Sequence, residues 1–314
     1  MEKIATREAY GKALVKLGEK NQDVVVLDAD LSKSTKTEEF AKAFPERFIN
    51  VGIAEQNMMG TAAGLAASGK IPFVSSFAMF ATGRAFEQIR NTVAYPELNV
   101  KIAASHAGIS VGEDGASHQS VEDISIIRSI PNMTVIVPSD AVETEAAVMA
   151  AAEIKGPVYI RMGRMAVPTV NGEDYRFQWG KGVVFREGTD VLLVGTGLMV
   201  DVCLRAAEGL QQEGISAGVL NIHTIKPIDG ETIIRMAKAT GAVVTAEEHS
   251  IIGGLGSAVA EVLCESYPVP MKRVGINDAF GESGKPMELL SKFGLDPQSV
   301  MAAAKDVIRR KKQL

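Results

Sequence analysis

Short apolar runs rich in β-branched residues alternate along the chain with longer stretches whose apolar positions recur every three to four residues. The short runs fall at 24–27, 48–51, 72–75, 100–104, 134–137 and 158–161. Runs of this length, bounded by polar or glycine-containing turns, read as buried strands. The helical period is most legible at 7–20, 55–68, 83–95 and 141–154. Strand, helix and strand in succession make the parallel βαβ unit. The expected fold class is therefore α/β, with mainly parallel sheets covered by helices on both faces.

The pattern lapses between Pro168 and Gly188. Asn171-Gly172-Glu173-Asp174, then Phe177, the only tryptophan (Trp179) and Gly180-Lys181-Gly182 form a turn-rich stretch without helical period. A second α/β run starts at Asp190-Val191-Leu192-Leu193-Val194-Gly195. It continues with expected strands at 218–222, 242–245 and 271–274 and helices at 200–212, 256–266, 287–293 and 297–310. This divides the chain into a three-layer αβα domain over 1–167, a link over 168–188 and a second αβα domain over 189–314.

Length agrees with that division, because 314 residues suffice for two domains of roughly 150 each. Lys plus Arg is 33 against Asp plus Glu 38, a formal charge of −5, which argues against a polyanion such as nucleic acid as partner. The basic end, Arg309-Arg310-Lys311-Lys312, suits the last turn of a helix, where cations meet the negative end of the dipole. Cys203 and Cys264 are the only cysteines, too few for a disulfide framework or a thiolate metal cluster, and they fit a reducing cytoplasm. The first residues lack the apolar core of a signal peptide, and no apolar run is long enough for a membrane span. A soluble cytoplasmic protein is expected.

Three blocks concentrate chemistry. Glu55 opens a helix directly after a strand, at the carboxyl end of the sheet, where open parallel sheets place their ligands. An acidic residue in a first helical turn is also favoured by the dipole alone, so a catalytic and a structural role both stand. Phe77 and Phe80, in Ser75-Ser76-Phe77-Ala78-Met79-Phe80, follow another strand. They suit either one wall of a slot for a planar heterocycle or the core. The segment Ser105-His106-Ala107-Gly108-Ile109-Ser110-Val111-Gly112-Glu113-Asp114-Gly115-Ala116-Ser117-His118-Gln119 holds two of the four histidines and is too rich in glycine for a helix interior. Neither the spacing of His106 and His118 nor any nearby cysteine supports a zinc site. Acid–base work or substrate hydrogen bonding suits them better, because imidazole titrates near neutrality. Gly253-Gly254-Leu255-Gly256-Ser257 lacks the lysine of a phosphate-binding loop and reads as helix–sheet packing, with His223 and His249 as structural residues.

Taken together, in order and spacing, these blocks resemble transketolase over essentially the whole chain. Gly52-Ile53-Ala54-Glu55-Gln56 is similar to the segment whose glutamate contacts the aminopyrimidine of thiamine diphosphate. Phe77 and Phe80 fall where that family stacks aromatics on the ring, and Val111-Gly112-Glu113-Asp114-Gly115 through His118-Gln119 resembles its substrate loop. The resemblance implies that His106, Asp114 and His118 contact sugar hydroxyls, and that Arg7, Ser34 and Arg164 hold a substrate phosphate. A guanidinium pair suits a phosphate dianion. It further implies that Glu55 acts as a carboxyl group donating to the pyrimidine nitrogen, kept protonated by an apolar setting of Phe77, Phe80 and Met58.

Two departures accompany the match. Gly83 stands where the family often places a third ring, and the Gly-Asp-Gly diphosphate and magnesium motif of the family's first half is missing. The implied protein is the carboxy-terminal subunit of a split transketolase. It would dimerise through this chain and form an α₂β₂ heterotetramer with an amino-terminal subunit that brings the Mg²⁺ ligands. Its substrates would be a ketose phosphate donor and an aldose phosphate acceptor. Met1 directly before the first helix, and the helical finish, fit a natural subunit. The nearest rivals are 1-deoxyxylulose-5-phosphate synthase and the β subunit of a 2-oxo acid dehydrogenase. The Gly112-Glu113-Asp114-Gly115 and His118 pattern argues against the latter. A degenerate, non-catalytic subunit is disfavoured by the retention of Glu55, both loop histidines and the arginines.

Overall fold

The computed structural model describes residues 3–313. Its first sheet has seven strands in the order Thr224–Lys226, Thr134–Ile136, Val158–Arg161, Lys101–Ser105, Ile71–Phe77, Val24–Asp28 and Phe48–Asn50. All neighbours run parallel except the first pair. Alternate side chains of one strand feed opposite faces of the sheet. Val24 and Val26 meet Tyr10, Leu14 and Ala147 of the helices Thr6–Lys20 and Ala141–Glu153. Val25 and Leu27 instead meet Met58 and Met59 of Glu55–Ala67. Apolar residues at consecutive positions are thus required by burial on both faces, which is why these strands read as unbroken apolar runs.

The second sheet has five strands, ordered Met271–Ile276, Val243–Ser250, Val191–Gly195, Ala217–Asn221 and Val183–Arg186, all parallel but the last. Val191 and Leu193 face the helices Met199–Gln212 and Pro297–Lys311. Leu192 and Val194 face Gly230–Thr240 and Leu255–Ser266. The α/β class and the two αβα units with mainly parallel sheets are as expected.

The two units interlock. Thr224–Lys226, which follows the second unit's Ala217–Asn221 strand, crosses over and pairs antiparallel with Thr134–Ile136 of the first sheet. One apolar cluster runs continuously from Leu27 and Ile102 to Leu192, Ile233 and Val259. Val183–Arg186, inside the stretch expected to be only a link, is the antiparallel edge strand of the second sheet. The helix expected at 83–95 starts earlier and is underwound into π turns at Phe80–Arg84 and Gln88–Ala94. Such wide turns insert an extra residue per turn and are frequent at functional sites.

Candidate active site

Glu55 is brought to the carboxyl edge of the first sheet by a short crossing from Phe48–Asn50. Gly52 turns the chain at φ +73°, and its N–H is held by Asn50 Oδ1 at 3.0 Å. Glu55 then starts the helix with only 1% of its surface exposed. An apolar setting was expected around it, but its carboxylate meets a guanidinium: Arg84 Nη1 donates to both oxygens at 2.8 Å. The same guanidinium lies 4.8 Å from the Phe80 ring centroid, within cation–π range.

The two phenylalanines are neither independent core residues nor apart. Phe77 and Phe80 lie 6.0 Å between centroids and 16° from parallel. His106 stacks on Phe77 at 3.8 Å, and His118 meets Phe80 edge-on at 5.2 Å. Gly83, one residue before Arg84, is exposed, and a Cβ there would meet only the Met79 methyl.

His106 sits at the end of Lys101–Ser105 in a left-handed conformation, φ +56°, with Nδ1 2.9 Å from Ser105 Oγ. Burial, then the charges of Arg7, Arg164 and His118, push its pKa down to about 3. It is neutral under ordinary conditions, a hydrogen-bonding imidazole rather than one titrating near pH 7. His118 is half-buried, whereas Asp114 and Glu113 project into solvent.

Arg7 extends from the first helix and donates from Nη1 to the Ser34 carbonyl at 2.7 Å. The Ser34 turn is anchored by Asp28 at the end of its strand, which accepts from Leu31 N–H at 2.6 Å and from the Thr35 and Thr37 hydroxyls at 2.7 and 2.9 Å. Arg7 Nε is buried without a hydrogen-bond partner among the described residues. Burial, with the Arg164 charge adding to it, lowers the Arg7 pKa. Arg164 itself touches the glycine-rich loop after His106, donating to Val111 O and to Glu113 at 3.0 Å. Arg7, Ser34, Arg164 and His106 thus converge on one cationic corner, next to the aromatic pair and Glu55.

Sequence reasoning passed over several residues that shape this site. Arg84 lay inside an expected helix with no sign that it would reach Glu55. Asp28, the last residue of its strand, carried a weak signal: a carboxylate at a strand's carboxyl end before a Ser/Thr-rich turn. Gln119, recognised only as part of the loop, donates to Ile109 O and Gly112 O at 3.2 and 3.1 Å and holds the loop closed.

Known proteins with this layout are numerous. Residues 2–169 match the family model for the transketolase pyrimidine binding domain, and residues 180–300 match that for the transketolase C-terminal domain. A putative transketolase C-terminal section of Methanocaldococcus jannaschii is 56% identical over 94% of this chain and 93% of its own length. Transketolase-like protein 2 of Mus musculus is 45% identical over 98% of this chain, which spans 49% of that protein. A solved split gene transketolase, an inactive beta4 tetramer, superposes with a TM-score of 0.93 at 61% identity, covering 98% of this chain and 99% of that one. Matched over both of its domains, the chain belongs to the transketolase family.

Proposed function

We propose that this chain is the carboxy-terminal subunit of a split transketolase, moving a two-carbon ketol unit from a ketose phosphate to an aldose phosphate. Residues 1–167 would be the pyrimidine-binding domain, 168–188 the link and 189–314 the trailing domain. An amino-terminal subunit would bring the diphosphate and Mg²⁺ ligands, in an α₂β₂ assembly built on a dimer of this chain, in the cytoplasm. The observation that carries this reading is one juxtaposition at the edge of the first sheet. A buried carboxylate and a near-parallel aromatic pair adjoin a corner with two arginines.

Thiamine diphosphate, when bound, supplies the nucleophilic carbon and the electron sink that a C–C cleavage next to a carbonyl requires. The residues present fit its aminopyrimidine: the planar guanidinium of Arg84 already meets Glu55 with an N–H and Phe80 with its face. A planar ring bearing an amino group and ring nitrogens suits that same carboxyl group and that same surface. Glu55 would hold the ring nitrogen, with Phe77 and Phe80 packed along the ring. Arg7, Arg164 and Ser34 would hold the sugar phosphate. Neutral His106 would accept from or donate to a sugar hydroxyl without a charge change, while Asp114 and His118 close over the remaining hydroxyls.

The experiment is a transfer assay with xylulose 5-phosphate and ribose 5-phosphate, with thiamine diphosphate and Mg²⁺ present. It uses this chain alone and then with its amino-terminal partner. Transfer in the mixture only is the expected result. No transfer, with carbon dioxide released from pyruvate, would move the chain to a decarboxylating relative.

A further inference from the structure

Each of the three glycines of the substrate loop presents a bare Cα to the second domain. All three have left-handed backbones, Gly108 at φ +80°, Gly112 at +88° and Gly115 at +78°. A Cβ on Gly108 would fall 2.3 Å from the Glu248 carboxyl carbon, one on Gly112 3.1 Å from Pro286, and one on Gly115 2.5 Å from Ser283 Oγ. Their absence of side chains therefore serves close approach as well as conformation. The polar contacts run the same way. Glu248 Oε1 accepts the Ser110 N–H at 2.6 Å across 138 residues of chain. Gln119, which closes the loop from inside, also donates to the Glu282 carbonyl at 2.9 Å. With His106 itself left-handed at φ +56°, four residues of the loop hold conformations that cost energy or demand glycine. A strained loop of this kind keeps one shape only when its surroundings over-determine it.

We propose that the second domain is the template of the substrate loop and that Glu248 is its positioning residue, setting His106, Asp114 and His118 for the sugar through the Ser110 N–H. This rests on the ketol-transfer reading above for what the loop binds, but not for how the loop is held. Glu248 is 4% exposed, on the strand Val243–Ser250, and its side chain points at the loop rather than into its own domain's core. Nor does the joining of the domains depend on it. The crossing strand Thr224–Lys226, the shared apolar cluster and the bonds from Asn221 Nδ2 to Glu143 at 2.9 and 3.1 Å are independent of the Glu248 side chain. Arg161 Nη2 bonds the Glu248 backbone carbonyl, at 2.9 Å, and survives any substitution of its side chain.

The test uses E248Q, which keeps an oxygen acceptor for Ser110 N–H, and E248A, which does not. In the isolated chain, amide exchange of residues 108–113 should accelerate at least tenfold in E248A, remain near wild type in E248Q, and be unchanged in both over Val191–Gly195. In the reconstituted enzyme, E248A should lower kcat/KM by roughly 10²-fold, since loop misplacement of about 1 Å carries that cost. The affinity for thiamine diphosphate should stay within twofold, because Glu55 is placed by its own helix and Phe77 by its own strand. E248Q should restore most of the loss. G108A, which drives a Cβ into the Glu248 carboxyl from the loop side, should reproduce the E248A exchange pattern if E248A does not fold. Wild-type loop exchange in E248A and G108A, or equal impairment of E248Q and E248A, would overturn the proposal. An inactive wild-type assembly with the exchange pattern as expected would instead overturn the ketol-transfer reading and leave the template standing.

Discussion

Arg84 Nη1 donates to both carboxylate oxygens of Glu55 at 2.8 Å, so the acidic residue expected to serve the pyrimidine is already paired within its own chain. The Arg84 side chain is 50% exposed and that of Glu55 2%, so one partner is screened by water and the other is not. A half-exposed pair of this kind stabilises by up to about 1 kcal/mol. In the proposed function a ring nitrogen needs the same carboxyl group, so that stabilisation would belong to the cofactor-free state. R84M should therefore tighten thiamine diphosphate binding in the reconstituted enzyme by about fivefold, read by titrating activity with cofactor. Weaker binding would mean that Arg84 stays and helps to hold the ring.

Glu55 itself is placed by the turn at Gly52 and the start of its helix, and the helix is anchored by fully buried Met58 and Met59. Removing the carboxylate leaves that packing intact. E55A should lower the transfer rate by about 10²–10⁴-fold while the mixture still elutes as the full assembly in size-exclusion chromatography. Turnover within tenfold of wild type would take Glu55 out of the mechanism.

Arg164 and Arg7 form a cationic corner in which Arg7 Nε has no partner among the described residues. A phosphate dianion would relieve both that orphan and the mutual repulsion of the guanidiniums. Charge-assisted hydrogen bonds contribute about 1.5–3 kcal/mol each. R164A should accordingly raise KM for ribose 5-phosphate by about 10–100-fold and leave KM for unphosphorylated glycolaldehyde within about threefold. Equal effects on both acceptors would show that Arg164 acts by holding Val111 and Glu113 rather than by binding phosphate.

The strands buried on both faces were legible because their apolar runs are unbroken; Glu55, Phe77, Phe80 and His106 stood out as candidates because each lies at the end of such a run or just after it, and His118 because it shares a glycine-rich loop with His106. What escaped the sequence has two causes. The Thr224–Lys226 strand is three residues long and pairs with a different domain, so nothing local marks it. The helix Gly230–Thr240 was overlooked although Asp229 caps it, accepting from Thr232 N–H at 3.1 Å, and Gly241 ends it at φ +64°. The partners of Glu55 and Ser110 were beyond reach for a physical reason: Arg84 is 29 residues away and Glu248 138, and no periodicity encodes such pairings.

The buried polar groups around the domain junction give stability a pH dependence whose sign can be worked out. Burial pushes the Glu248 carboxyl up to about 7, against the opposing Arg161 charge and the Ser110 N–H, with Asp123 adding to the rise. Burial likewise takes its neighbour Glu247 up to about 7. An unfolded glutamate titrates near 4.3, so each of these groups contributes stability that is present at low pH and lost as pH climbs through about 7. Imidazoles do the reverse: burial lowers His249 to about 4 and His106 to about 3, so the unfolded chain takes up their protons first and stability grows as pH rises toward 6.5. In the wild-type chain the two trends oppose each other between about pH 4.5 and 6.5. E248Q removes one falling contribution and leaves the rising ones. Its unfolding free energy relative to wild type should increase steadily from pH 5 to 7.5, by on the order of 1–3 kcal/mol, in urea titrations at matched ionic strength. A difference that stays flat would mean that Arg161 and the Ser110 N–H hold Glu248 as a carboxylate throughout that range, and the pH sensitivity would then come from His249, His106 and Glu247.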